Sequence, residues 1–570
     1  MISSGRELLL AALVFTVLAL AFGAPLPLHM GDGVPVSGTP LDAMHILYAV
    51  TWGSQILGNN PFEFFNATFF HPYNNSLAFM DHMAGVSALI APINWASGSM
   101  YWGFNMAWLG TFVLSGLGAY LLTRHLTDCR SAAFLAGIAY AYFPFRYHNA
   151  GQLNVLAMMW IPFALLSLHV WVDTHRRRHL LWFVIFASLQ FLSSLYTGVF
   201  LFLCVGLYLI VLLTMDRPRT MDLVRKQSWA ILSAVMLGLV SCFPFVAPYL
   251  TARRETGLRR ALGESVPFSA IPLDFITPAP QSILGGVVPW GDSARHALFP
   301  GIVVCLLIGI WIARRGWRTA ARPRTVAFYT LLAVIAMLLS LGPVLGDTAR
   351  IPMPFALAYY VLPGASFIRA PVRFALLGSL GLAVLAAMGL ASLRRDTRVR
   401  RARNYALAGL AALELFAAPI TMFQPLPPGG IPRPYYWLGS VSGELAVVDI
   451  PMAPDEAGES IEHARYQLYS LVHGKRIVNG VAAYVPPITR ELREVMQSFP
   501  SDQSVARLRN LGVSYAFVHS EQYSPEDRRR LADAVLASPG LNVVDMDGPI
   551  WILDIVPHTV PAYDANGNGR

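Results

Sequence analysis

The chain has 570 residues, of which 55% are hydrophobic and only 13% charged, with a mean hydropathy of +0.49. Soluble domains carry about 25% charged residues, so this composition excludes a soluble enzyme, a disordered chain and a nucleic-acid-binding domain. The net charge of +9 then reads as Lys and Arg held on one side of a membrane, not as a polyanion-binding patch.

Eleven apolar runs are candidates to cross a bilayer, a task that takes about 20 residues. The first, 8–22, follows Arg6 and precedes no small-residue cleavage site, which marks an anchor and not a cleaved signal. Next come 101–123, 132–145 and 153–172. The stretch 180–213 is too long for one helix and is predicted to break at Tyr196-Thr197-Gly198 into two spans. The remaining five are 229–250, 298–313, 325–341, 374–393 and 405–423. Residues 84–95 are apolar but short and interrupted by Pro92, which suits a re-entrant or interfacial segment. With the N-terminus inside, the cytoplasmic segments hold more than twice the Lys and Arg of the outer loops. The arginines of 394–403 are the largest inner group, and Arg259 and Arg350 are among the outer ones. That bias places the C-terminus outside.

The loop 23–100 is nearly eighty residues long and amphipathic. Thr39-Pro40 opens a predicted helix over 41–57, with Asp42 and His45 on one face. Asp32, Glu63, His71, Asn74, Asn75, Asp81 and His82 complete a dense polar cluster. Carboxylates beside a membrane cost free energy to desolvate and need a reason. Each also has a plain structural role open to it. Asp42 falls where a carboxylate caps helix N–H groups, Asp32 sits in a Gly-Asp-Gly turn, and Asp81-His82 can cap the segment 83–91. Arginines form a second group. Arg146 lies in Phe143-Pro-Phe-Arg-Tyr-His148, and Arg369 and Arg373 flank Ala-Pro-Val, all at predicted outer ends of spans. Guanidinium forks match phosphate oxygens, while snorkelling toward headgroups is the competing role.

From Pro425 the sequence changes character. Five prolines between 425 and 434 make a stiff linker. Strand-like runs at 445–450, 476–481, 515–519 and 551–555 then alternate with helical patterns. Ser524-Pro525-Glu526-Asp527 is a helix start, and Asp547-Gly548 a hairpin turn.

The chain resembles the GT-C class of integral-membrane glycosyltransferases, in particular its bacterial branch with a soluble C-terminal domain. The stretches that carry the resemblance are Leu41-Asp-Ala-Met-His45, Asn60-Pro61, Phe70-His-Pro-Tyr73, Leu77-Ala-Phe-Met-Asp-His82, Phe145-Arg-Tyr-His148, Trp160-Ile-Pro162, Phe299-Pro-Gly301 and Arg369-Ala-Pro-Val-Arg-Phe374. Tyr466-Gln-Leu-Tyr469, His473-Gly-Lys and Val478-Asn-Gly480 extend it into the tail. Relatives often carry glycine at the position of Leu41 and histidine near that of Gln152.

The resemblance implies a mainly α, polytopic, GT-C-like membrane domain over 1–424 with about eleven transmembrane helices. A small α/β extracytoplasmic domain over 425–570 follows it. It implies a bacterial cytoplasmic-membrane enzyme that takes a sugar from a polyprenyl-phosphate donor, with inversion, to a glycan, lipid or protein acceptor. Asp42 is then the expected general base, supported by His45, with Asp32 behind it. Arg146, His148, Arg369 and Arg373 are the expected phosphate ligands, and Asp81 and His82 the expected holders of a divalent cation, Mg or Mn. Membrane lipids and the donor are the expected partners, with no nucleic acid. Two other readings stay open: a flippase for lipid-linked sugars, with Glu414 as its mid-span charge, and a non-catalytic assembly protein.

Overall fold

Among the described residues seven helices are long and apolar enough to cross a membrane: Gly5–Phe22, Met100–Thr127, Leu153–Thr174, Leu195–Met215, Ser228–Thr256, Pro323–Ser340 and Pro371–Ser392. Four shorter helices, Arg130–Ala141, Arg177–Ser193, Ile302–Ala313 and Arg398–Glu414, occupy the other runs expected to cross. The structure, a computed structural model, describes residues 5–257, 260–287, 295–318, 322–346, 351–362, 364–393, 398–452 and 461–555. Arg259, Arg350, Arg394 and Arg395, which entered the charge count, lie outside the described residues, as do 556–570 of the tail.

Two boundaries differ from expectation for identifiable reasons. The long apolar stretch breaks at Ser194, not at Tyr196, because Ser194 is extended and its hydroxyl caps the second helix at Thr197 N. The last helix ends at Glu414, and the chain beyond it forms a strand instead of completing a span. Glu414 is not a mid-span charge. Its carboxylate accepts from the first N–H groups of Ile302–Ala313, at Ile302 and Val303, where the helix dipole favours an anion.

Close helix approach depends on small residues, as is common where lipid supplies no hydrophobic drive. A Cβ on Gly137 would lie 2.3 Å from the Phe15 ring, and one on Gly381 would lie 2.8 Å from the Tyr329 carbonyl. The N-terminal helix is pinned further by Glu7, which accepts from Tyr120 at 2.8 Å, Arg124 at 2.9 Å and Arg130 at 2.7 Å.

Among the described residues nine strands form three sheets. β1 (Val34–Val36) pairs antiparallel with β4 (Thr421–Phe423), so the first loop is laced to the end of the helical part. β2 (Val344–Leu345) and β3 (Ile351–Pro352) make a short antiparallel pair. The third sheet runs in the order β6 (Arg476–Ile477), β5 (Ala446–Ile450), β7 (Tyr515–His519), β9 (Ile550–Asp554), β8 (Asn542–Asp545). β5 is parallel to β6 and β7, and the other pairs are antiparallel.

The two-residue period of a strand divides this sheet into two faces. Val447, Tyr515, Phe517, Ile550 and Ile552 join the core shared with the first loop. Val448, Ile450, Ala516, Val518, Trp551 and Leu553 form a second core with Leu508, Leu531 and Val535 of the covering helices. Sheet and loop are joined by backbone bonds: Ile477 N to Thr68 O at 2.7 Å, His71 N to Ile477 O at 2.9 Å and Phe70 N to Asn479 O at 3.3 Å.

Candidate active site

Asp42 lies in the first turn of the helix Leu41–Asn59. Thr39 Oγ1 accepts from Leu41 N at 3.4 Å, while Pro40 holds the N-cap position and supplies no side-chain cap. The Asp42 carboxylate is partly exposed. Its Oδ2 accepts from Gln152 Nε2 at 2.6 Å. His45, three residues on, does not hold it. The imidazole Nδ1 donates to the Leu41 carbonyl at 3.0 Å and stands 3.9 Å from Asp42 Oδ1, beyond hydrogen-bond reach.

Gln152, noted in the sequence only as a position near which relatives often carry histidine, has a bridging role that sequence reasoning missed. Its amide Oε1 accepts from Arg373 NH2 at 2.7 Å, so one side chain joins a carboxylate to a guanidinium. Only one amide orientation suits these neighbours, with the NH2 toward the anion and the carbonyl toward the cation. Nothing local in the sequence assigns Gln152 this role. Its partners are 110 and 221 residues away.

Arg373 ends the turn Pro371–Arg373 that leads into the helix Phe374–Ser392. Its guanidinium lies 4.9 Å from the centre of the Tyr196 ring, and Tyr196 is held by its own hydroxyl, which donates to Ala370 O at 2.8 Å. Arg369 is exposed, with its guanidinium 4.4 Å over the Phe268 ring. Arg260 joins the group. Burial and the neighbouring Arg369 charge lower its pKa, against the opposing pull of Glu264. Three cations thus gather near Tyr196, a field suited to a phosphate.

The other expected residues are placed elsewhere. Asp81 caps the helix Leu195–Met215, accepting from Ser194 Oγ at 2.6 Å and Leu195 N at 3.0 Å. Burial raises its pKa, opposed by those bonds, by Asn154 and by the Arg373 charge. His82 turns away from it into a box of Phe65, Phe191, Phe245 and Tyr249. Its Nδ1 accepts from Ala84 N at 3.0 Å, and burial pushes its pKa down to about 3. The two side chains expected to share a cation therefore diverge. Among the described residues no three His, Cys, Asp or Glu side chains converge as a metal-holding group. Asp32 pairs with His29 at 3.3 Å on an exposed part of the loop. His148 is exposed and meets His296 at 3.4 Å. Arg146 is fully buried, donating to Thr111 Oγ1 at 3.3 Å and Leu156 O at 3.2 Å. It belongs to the helix packing and not to the group around Tyr196.

No protein-family model matches the sequence, and no curated protein does. Solved structures do. The fold is similar to that of the mycobacterial arabinofuranosyltransferase AftD, with a TM-score of 0.54 and 17% identity, over 98% of this chain and 42% of AftD. It is also similar to the oligosaccharyltransferase AglB of Archaeoglobus fulgidus, with a TM-score of 0.48 and 13% identity, over 97% of this chain and 75% of that one. For ArnT of Cupriavidus metallidurans the values are 0.44 and 12%, over 96% and 97%. This chain has the fold of the GT-C class of integral-membrane glycosyltransferases.

Proposed function

We propose that the chain is an inverting membrane glycosyltransferase that moves a sugar from a polyprenyl-phosphate carrier to an acceptor hydroxyl outside the cytoplasm. The observation that carries the reading is the placement of Asp42 one amide away from Arg373, on a GT-C fold whose likeness to an arabinofuranosyltransferase supports sugar transfer. About eleven crossings, the N-terminus inside and a separate outer α/β domain over 425–570 belong to the same proposal.

In the proposed step the acceptor oxygen attacks C1 of the sugar and gives its proton to the Asp42 carboxylate. The C1–O bond to phosphate breaks as the new C1–O bond forms, and its electron pair leaves on the phosphate oxygen. A single displacement of this kind inverts the anomeric centre. Asp42 acts as general base. Arg373, with Arg369 and Arg260 nearby, stabilises the charge that develops on the leaving phosphate. Asp81 and His82 are engaged in capping and in the aromatic box, and no step is routed through a cation.

The decisive test is Asp42→Asn. The amide keeps the shape but loses the charge, so the variant should fold and fail to turn over a polyprenyl-phosphate sugar. Near-normal turnover by a well-folded Asp42→Asn protein would remove the base from the proposal. A second arm compares undecaprenyl phosphate binding by Arg373→Ala and by Arg219→Ala, the latter an exposed residue of the helix Arg217–Lys226. Only the first should weaken binding, by roughly 10-fold or more for a lost charge-assisted contact.

A further inference from the structure

We infer that Gln152 is a positioning residue that spaces Asp42 from Arg373 and fixes both, leaving one carboxylate oxygen for the acceptor and the remaining guanidinium N–H groups for the phosphate. The inference rests on the glycosyltransferase reading above and adds to it a residue with no charge of its own.

The physical problem is one of two opposite charges that must work near each other without meeting. A carboxylate in direct contact with an arginine is held in its charged form, with a pKa commonly lowered by about 1–3 units. It then becomes a weaker base, and the guanidinium has fewer N–H groups to offer an anion. A neutral amide between them satisfies one group on each at 2.6 and 2.7 Å while keeping them apart. Among the described residues Asp42 Oδ1 has no polar partner nearer than His45 Nδ1 at 3.9 Å.

The backbone around Gln152 is built to hold this amide still. Gln152 N donates to Asn149 O at 2.9 Å, and its own carbonyl accepts from Val155 N at 2.9 Å and Leu156 N at 3.1 Å. One residue earlier, Gly151 presses against the Asp42 helix. A Cβ there would lie 3.3 Å from the Ala43 Cβ and 3.6 Å from Val36 Cα. Ala150 O accepts from Trp108 Nε1 at 2.9 Å. On the other side the Arg373 guanidinium rests over Tyr196. Both ends of the bridge are thus carried by groups that are themselves fixed, which is what a precise site requires.

The spacer idea makes two variants move in opposite directions, which a merely structural glutamine would not do. Gln152→Ala removes the spacer and lets Asp42 and Arg373 attract each other directly. Turnover should fall roughly 10- to 100-fold, and the acid limb of the kcat/KM profile should move to lower pH. Gln152→Glu puts a second carboxylate beside Asp42. Like charge favours the protonated form, so the acid limb should move to higher pH, by about one unit. Gln152→Asn, with a smaller loss of volume, repeats the first arm.

The experiment uses the full chain in lipid nanodiscs with a panel of short-chain polyprenyl-phosphate hexoses and pentoses as donors and alkyl glycosides as acceptors, reading release of polyprenyl phosphate as the sugar passes to the acceptor hydroxyl. Opposite displacements of the acid limb support the spacer. Unchanged profiles and turnover in both variants, with Asp42→Asn inactive, overturn it and leave the glycosyltransferase reading standing. Turnover retained by Asp42→Asn instead removes the base itself, a separate failure.

Discussion

The Arg146 guanidinium uses one nitrogen for Thr111 and Leu156, lies 4.6 Å from the centre of the Phe112 ring, and among the described residues leaves Nε and NH1 without partners. A buried charge so sparsely compensated contributes little net stability, because desolvation offsets what the contacts supply. Arg146→Met should therefore keep stability to within about 2 kcal/mol, read as the melting temperature in detergent, and leave undecaprenyl phosphate binding unchanged. Loss of binding in a folded Arg146→Met protein would return Arg146 to the phosphate group. Sequence could not separate Arg146 from Arg373, since each lies two residues after a proline and beside an apolar run. What separates them is which neighbour supplies the walls: Phe112 and the tyrosines close over Arg146, while Arg373 meets an open amide. Asp42 was legible as a candidate because its type and place on a helix are local properties. Its partner was not, because a neutral glutamine in a loop carries no such mark.

At the scale of the element, the period-2 division of the C-terminal sheet brings Asp449 of β5 and His519 of β7 onto one face. Both are buried, and Tyr435 closes the group. His519 Nε2 donates to Asp449 Oδ1 at 3.1 Å and Nδ1 donates to Glu521 Oε1 at 3.3 Å. Burial alone would lower the His519 pKa, but those two carboxylates outweigh it and raise it to about 9. A histidine is near 6.5 in the unfolded chain. A folded-state value above the unfolded one means stability fully present below pH 6.5 and lost as pH rises toward 9. The full chain should melt lower at pH 9.5 than at pH 6.5, by a few kcal/mol at most in free energy, and His519→Gln should flatten that trend. An equally steep fall in His519→Gln would place its origin elsewhere. The strands themselves were readable: 515–519 matches β7, and Ser524 does accept from Asp527 N at the start of Pro525–Ala537. The ion cluster was not, since nothing local pairs Asp449 with a histidine 70 residues on. The polar loop residues misled for the same reason. His71 donates to Leu511 O at 2.7 Å and Asn74 accepts from Arg476, so part of that cluster docks the sheet onto the loop.

The same docking constrains the whole molecule. Tyr48 of the Asp42 helix bonds Thr68 at 2.7 Å, and Thr68 bonds Ser470 at 2.6 Å. Gly480 comes so close that a Cβ would lie 3.0 Å from Phe69. Loop and C-terminal sheet must then lie on one side of the membrane, which requires an even number of crossings between residues 100 and 425. The expected spans supply ten, and the long helices alone supply six after the first; both are even, whereas a single miscounted span would break the parity. Residue 222, between Leu195–Met215 and Ser228–Thr256, is separated from the first loop by five of the expected spans, an odd number, and should face the other side. In a chain freed of its exposed Cys305, Asn60→Cys and Ser440→Cys should react together with a membrane-impermeant maleimide on intact cells. Asp222→Cys should react only after permeabilisation. Labelling of Asn60 and Ser440 from opposite sides would separate the sheet from the loop. It would also take away the support that carries Asp42, because the helix bearing it is tied to that sheet through Thr68.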